Sequence, residues 1–136
     1  MAFEDLVHVL DQNRIAAIVT RRADGTRVAT PVAAMVVDSV PYLRSGFGSS
    51  SWWYRRAVSG RDVEFLLADG IVAERDRSAA LALQAEPVRL ERVAVDDPIQ
   101  RAVDAVLEAK YSDEPGSIAT MESRAAKECT LRVVAP

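Results

Sequence analysis

The chain has 136 residues, 49 % of them hydrophobic, and a formal net charge of −3. That is enough for one compact domain with its own core and leaves little for a second. The negative balance argues against general nucleic-acid binding, which rests on neutralising phosphates. Charges interrupt every apolar run well short of the ~20 residues that a membrane-spanning helix needs. Cys129 is the one cysteine and His8 the one histidine, which rules out an intrachain disulfide and argues against Cys or His metal cages.

The opening residues MAFEDLVHVL lack a basic leader and carry Glu4 and Asp5, so the sequence predicts no secretion signal and a cytoplasmic protein. Phe3, Leu6, Val7 and Leu10 recur at helical spacing, predicting an amphipathic helix over residues 3–12 with His8 as a surface or packing residue. Ile15 to Val19 then form an apolar run. Asp24-Gly25 follows and predicts a hairpin turn, because glycine supplies the positive φ. Arg27 to Val37 reads as the second strand, with Pro31 at an edge or bulge and Met35 in the core. Asp38-Ser39 turns the chain into a third strand at Tyr42–Ser45. Connections this short require antiparallel pairing, so the three strands form a meander.

Two glycines and three serines break the regular structure after Ser45, and Trp52 to Val58 reads as a short helix with a serine at its N-cap and Gly60 beyond its end. Asp62 to Ala68 predicts a fourth strand, and Asp69-Gly70 a turn into a fifth around Ile71–Glu74. Residues 81–93 read as a long strand interrupted at Pro87, with a short helix over 78–86 as the alternative. Asp97-Pro98 marks a helix start, which explains Asp97 as a cap rather than as half of a catalytic pair with Asp96. The apolar face Ile99, Val103, Val106 and Leu107 carries that helix to Tyr111. Ser112–Ser117 reads as a Pro-Gly loop, residues 118–127 fit either state, and Thr130–Val134 closes the chain as a strand. Cys129 reads as a small buried apolar residue.

The segment YLRSGFGSSSWWYRR, residues 42–56, concentrates the chemistry. Glycines let a backbone approach a ligand, serines donate hydroxyls, and a helix N-terminus favours an anion. Arg44, Arg55, Arg56 and Arg61 follow one another with no acid between them, a local basic patch suited to a small anionic ligand. A strand-to-helix loop whose glycines and serines serve only turns and caps is the competing explanation. Of Trp52, Trp53 and Tyr54, one or two are expected in the core, since neighbours on a helix diverge by ~100°. Tyr111 reads as a helix-end packing residue, or else as a pocket wall or proton donor.

The stretch TPVAAMVVDSVPYLRSGFGSSSWWYRRAV resembles the split β-barrel oxidoreductases, which include the pyridoxamine phosphate oxidase-like flavoproteins and the deazaflavin-dependent nitroreductases. Thr30-Pro31, Ser45, Gly46 and Trp53-Tyr54 carry the match, and Ala109-Lys110-Tyr111 adds a later element. The resemblance covers residues 14–68 well and the rest in outline. It implies a single α+β domain over 1–136, an antiparallel split β-barrel of six or seven strands with flanking short helices. It also implies a homodimer with FMN or a deazaflavin coenzyme at the subunit boundary, transferring hydride to a small organic acceptor. In that arrangement Thr30, Pro31 and Val32 lie beside the ring. Ser45, Gly46, Ser49, Ser50, Ser51, Trp52 and Trp53 face the phosphate. Many relatives carry a lysine before the helix, where this chain has serines and tryptophan. Arg44, Arg55 or Arg56 is the expected substitute. The rival expectation is a cofactor-free ligand-binding or protein-interaction module on the same barrel, and no side chain is nominated as a catalytic acid or base.

Overall fold

The computed structural model describes residues 2–136. The apolar stripe of the first segment becomes α1 (Ala2–Gln12), with Leu6 and Leu10 fully buried and His8 exposed. β1 (Ala16–Arg21) turns at Asp24-Gly25 into β2 (Arg27–Val32), and Gly25 takes φ +89°. The strand expected to run to Val37 is two strands. The chain bends at Ala33-Ala34 and resumes as β3 (Met35–Val37). Asp38 and Ser39, with φ 48° and 66°, form the tight turn into β4 (Val40–Arg44), since positive φ at both central positions matches the twist of a hairpin.

A 3-10 turn (Gly48–Ser50) leads to α2 (Trp52–Ala57), followed by β5 (Val63–Leu66). The expected fifth strand at 71–74 is instead a helix, α3 (Ile71–Arg75). Gly70 explains the difference. Its amide donates to the Ile15 carbonyl at 2.8 Å, and a Cβ there would lie 2.2 Å from the Ala16 carbonyl carbon. Gly70 is thus pressed against the backbone at the start of β1, and the Asp69 carboxylate accepts the Ile71 amide at 3.0 Å, starting a helical turn where a hairpin was expected. Next comes α4 (Arg77–Leu81), whose Asp76 cap accepts the Ala79 amide at 3.1 Å. The helical alternative for 78–86 therefore holds as far as Leu81, residues 82–84 turn the chain, and β6 (Ala85–Val93) follows, with Pro87 opposite Glu64.

Asp97 starts α5 (Ile99–Lys110) as expected, its carboxylate accepting the Ile99 amide at 2.9 Å. The expected Pro-Gly loop is largely α6 (Pro115–Met121), because proline at the first helical turn sacrifices no needed donor. Ser123 caps α7 (Arg124–Glu128) through the Ala126 amide, and β7 (Thr130–Val134) ends the chain.

All seven strands pair antiparallel in the order β2-β1-β5-β6-β7-β4-β3. The two edge strands are consecutive in the chain and separated only by Ala33-Ala34, so the bend brings the sheet's edges together. β6 serves both halves, pairing with β5 through Ala85–Val88 and with β7 through Arg89–Val93. This is an α+β split-barrel-like fold. Its interior holds Ile18, Leu43, Phe65, Leu131 and Val133, capped by Leu6 and Leu10 of α1 and Tyr54 of α2. A second cluster lies between β1, β2 and β5 and the helices α3 and α4; a third, with Met35 and Tyr42, packs under α5. Both sheet faces are therefore covered, which is why β1 reads as a continuous apolar run rather than an alternating one.

Candidate functional site

A largely apolar cleft of about 480 Å³ lies between the β2–β3 bend and the loop after β4, a size in the range of ~300–1,000 Å³ typical of small-molecule sites. One side is Pro31, Val32 and Ala33; the other is Gly46, Phe47, Ser51 and Trp53. Leu107 of α5 and Tyr111, just past its end, also line the cleft, and α6 borders the opening through Gly116, Ser117, Thr120 and Met121. Gly46 is where loop and α6 meet, since a Cβ there would lie 3.2 Å from Met121 Sδ and 3.3 Å from Thr120 Cγ2. The cleft is thus an apolar slot with aromatic walls and a few hydroxyls.

Of the thirteen residues expected at a cofactor site, this cleft gathers Pro31, Val32, Arg44, Gly46, Ser51 and Trp53. Thr30 does not join them. It pairs with Ile18 of the barrel interior, and directly opposed residues share a sheet face. Its buried hydroxyl finds no partner among the described residues. Ser45 is fully buried and donates to the Gly48 carbonyl at 2.6 Å, and Ser50 donates to the Phe47 carbonyl at 2.7 Å. Both hydroxyls close the loop on itself. Ser49 lies in a separate groove with Tyr54, Arg55 and Cys129. Ser51 occupies the N-cap position of α2 but caps no amide, contrary to the expected serine cap, and lines the cleft instead.

The aromatic triplet divides as helical geometry requires. Tyr54 is buried, Trp53 packs against the core edge-on to Tyr54 at 6.0 Å between ring centroids, and Trp52 is 70 % exposed. Phe47, at 79 % exposed, stands at the cleft mouth.

The basic patch expected from Arg44, Arg55, Arg56 and Arg61 is dispersed by the fold. Arg44 points away from solvent into the layer between β4 and α5. Its Nε donates to Thr130 Oγ1, one terminal nitrogen to Asp104 Oδ1 (2.6 Å) and the Met121 carbonyl, and the other to the Gln100 side-chain and backbone oxygens. A guanidinium has five N–H donors, and all five are spent inside the chain. Arg44 borders the cleft yet has nothing left to offer a phosphate there. Asp104 is buried enough to be pushed up, but Lys127 and Arg44 pull its carboxyl below the usual range. Arg55 donates to the Ser49 carbonyl and lies 5.2 Å over the Trp52 ring. Arg56 reaches the opposite way, to Thr20 at 2.9 Å.

The remaining charged residue at the cleft is Glu114, ion-paired with Arg14. Tyr111 presents its ring to the cleft while its hydroxyl donates to the Arg14 carbonyl at 2.6 Å. Burial pushes that hydroxyl up to about 12, so it keeps its proton and acts as a wall. Lys110 ties α5 to α1 and to the bend by donating to the Leu10 and Ala34 carbonyls at 2.9 and 2.7 Å. Among the described residues no group of three or more Cys, His, Asp or Glu side chains is placed to hold a metal, and no helix is long and apolar enough to cross a membrane. The signal that reasoning from sequence missed is α6, because its Pro-Gly start reads as a loop and hides four residues of the cleft rim.

A family profile described as "Uncharacterized protein conserved in bacteria (DUF2255)" matches residues 6–133. Among curated proteins none matches the chain. Three solved structures share the fold. The conserved hypothetical protein Rv2991 of Mycobacterium tuberculosis has a TM-score of 0.61 at 16 % identity over 98 % of this chain and 78 % of its own. ChuZ of Campylobacter jejuni gives 0.64 at 15 %, covering 98 % and 51 %. Atu2129 of Agrobacterium tumefaciens, a protein of unknown function, gives 0.62 at 16 %, covering 98 % and 53 %. The chain therefore spans about half the length of the last two.

Proposed function

The chain belongs to the DUF2255 family of bacterial proteins, and from that premise we propose that it is a cytoplasmic split-barrel protein whose cleft binds a flat, largely apolar ring system. The supporting observation is the slot itself, with Pro31 and Val32 on one side, Trp53 on the other and the Tyr111 ring between. A flavin or deazaflavin ring is the first candidate, on the strength of the fold and of the resemblance around Thr30-Pro31 and Trp53-Tyr54.

The fit to such a cofactor divides along its length. The walls suit a planar ring, whose faces aromatic and aliphatic groups cover well. Among the described residues the cleft has no spare cation for a phosphate, because Arg44 is consumed internally and Arg14 is paired with Glu114. A flavin or deazaflavin held by its ring alone would supply hydride transfer to a small organic acceptor. The chain's own contribution is to position the ring and exclude water. A cofactor-free module that binds another flat ligand is the second reading, and the internal commitment of Arg44 favours it.

The absorbance spectrum of the purified protein, followed by titration with FMN and with the deazaflavin coenzyme, decides between them. A bound chromophore, or a shifted flavin band on titration, supports the oxidoreductase. A colourless protein that perturbs neither spectrum removes the redox reading.

Phe47 and Trp52, exposed on the segment beside the cleft, support a homodimer that covers it. Sedimentation at micromolar concentration is expected to give a dimer and the double variant Phe47→Ser, Trp52→Ser a monomer. A monomeric wild type contradicts the dimer.

A further inference from the structure

Two arginines of the dispersed basic patch meet two others at the far end of β1. Arg56 donates from Nε to the fully buried Thr20 hydroxyl at 2.9 Å, and Arg61 donates from Nε to the Arg21 carbonyl at 2.8 Å. Each is therefore anchored through the nitrogen nearest its stem. Their terminal amino groups make no hydrogen bond among the described residues, and these are the groups that form the two-pronged contact with an oxyanion. Arg22, one residue beyond the strand, and Arg77, the first residue of α4, lie near enough for their charges to act on Arg56. Burial holds the Arg56 guanidinium below its ordinary value, and the charges of Arg22, Arg77 and Arg61 lower it further; no acid offsets them.

Glu64, Asp24 and Asp76 are each held by other groups. Glu64 lies 3.7 Å from Arg21 and 3.4 Å from Arg27. Asp24 feels Arg22 but accepts the Thr26 amide at 2.9 Å, and Asp76 caps α4. Among the described residues none of Arg22, Arg56, Arg61 and Arg77 makes an ion pair. In a chain of net charge −3, these four guanidiniums have no ion-pair partner among the described residues, Asp24 acting on Arg22 only at longer range, and two of them are oriented by fixed hydrogen bonds. Mutual repulsion disfavours that arrangement unless an anion relieves it. Preset forks suit a compact anion with several oxygens.

We propose that Arg22, Arg56, Arg61 and Arg77 form an oxyanion site for a small phosphate-bearing molecule, separate from the apolar cleft. The acidic balance of the whole chain disfavours a long polyanion, whose binding needs charge spread along a surface.

Calorimetric titration of the full chain with inorganic phosphate, pyrophosphate and ribose 5-phosphate, at ionic strength matched with sodium chloride, tests this. Saturable binding is expected, tightest for pyrophosphate. Arg56→Gln is expected to weaken it at least tenfold, and Arg56→Lys nearly as much because the fork is lost. Arg77→Gln, at an exposed position, is expected to weaken it at least threefold with an unchanged melting temperature in the absence of anion. Ribose 5-phosphate binding better than inorganic phosphate would identify an esterified ligand, and the reverse the free ion. No binding beyond the chloride control, or equal affinity in wild type and in Arg77→Gln, overturns the site. A DNA duplex binding more tightly than pyrophosphate overturns the small-ligand assignment. None of these outcomes depends on the cleft.

Discussion

Arg44 and Glu122 both lie near Asp104, and the fold treats them in opposite ways. Arg44 meets Asp104 at 2.6 Å with every donor satisfied, and Lys127 meets the other carboxylate oxygen at 2.9 Å. Removing one partner of such a buried pair strands the other, which costs roughly 3–5 kcal/mol. Glu122 instead faces the carboxyl of Glu108, and that neighbour, followed by burial and the charges of Glu108 and Asp104, pushes it from 4.5 up to about 7. A carboxyl raised in the folded state stabilises fully below its unfolded value, and the contribution disappears as pH rises through the folded value. Here that window runs from about pH 4.5 to 7. The depressed Asp104 acts the other way and only at lower pH, losing its contribution as pH falls through its folded value. We predict that the melting temperature falls between pH 5 and pH 8, and that Glu122→Gln flattens this slope and is the more stable protein at pH 8. An identical slope in the variant would remove Glu122 as its source.

The elements legible in the sequence are those whose causes are local. The Leu6–Leu10 stripe, the Asp24-Gly25 turn and the Asp97-Pro98 start each act within a few residues, and each stands where expected. The misread elements depend on distant contacts. Ile71-Val72 is β-prone, yet the chain cannot continue in the sheet because Gly70 is held against Ile15 and Ala16, more than fifty residues earlier. Arg44 reads as a ligand arm because its partners, Gln100, Asp104 and Thr130, lie 56 to 86 positions away. The Pro115-Gly116 start resembles a loop because α6 packs only the half-buried Ile118 and Met121 against the core, a stripe too short to mark a helix.

Gly70 supplies the test at this scale. Gly70→Ala is predicted to cost at least about 2 kcal/mol, as overpacking against immovable backbone does. Gly116→Ala, with open space around its Cβ, is predicted to stabilise by ~0.5 kcal/mol through the unfolded chain and helix propensity. Urea unfolding measures both. A neutral Gly70→Ala would contradict the close approach.

At the scale of the whole molecule, the bend at Ala33-Ala34 links fold and site. It brings the sheet's edges together, and with Pro31 and Val32 it lines one side of the cleft. Sequence legibility stopped at this level. Pro31 and Val32, with Gly46, Ser51 and Trp53, are expected at one site from the sequence and do line one cleft, but the charges expected with them go elsewhere. Arg44 is sealed under α5, while Arg56 turns to Thr20. What remains is a largely apolar slot, proposed to recognise a ring by shape and apolar contact, with no basic residue among those described free to read a phosphate there. That claim is tested most directly by titrating the protein with riboflavin and FMN side by side, following the fluorescence of Trp53 in a Trp52→Phe background. The predicted result is quenching by both, with affinities within about threefold, a difference of under ~0.7 kcal/mol. No quenching by either, or FMN binding at least tenfold more tightly, would contradict it.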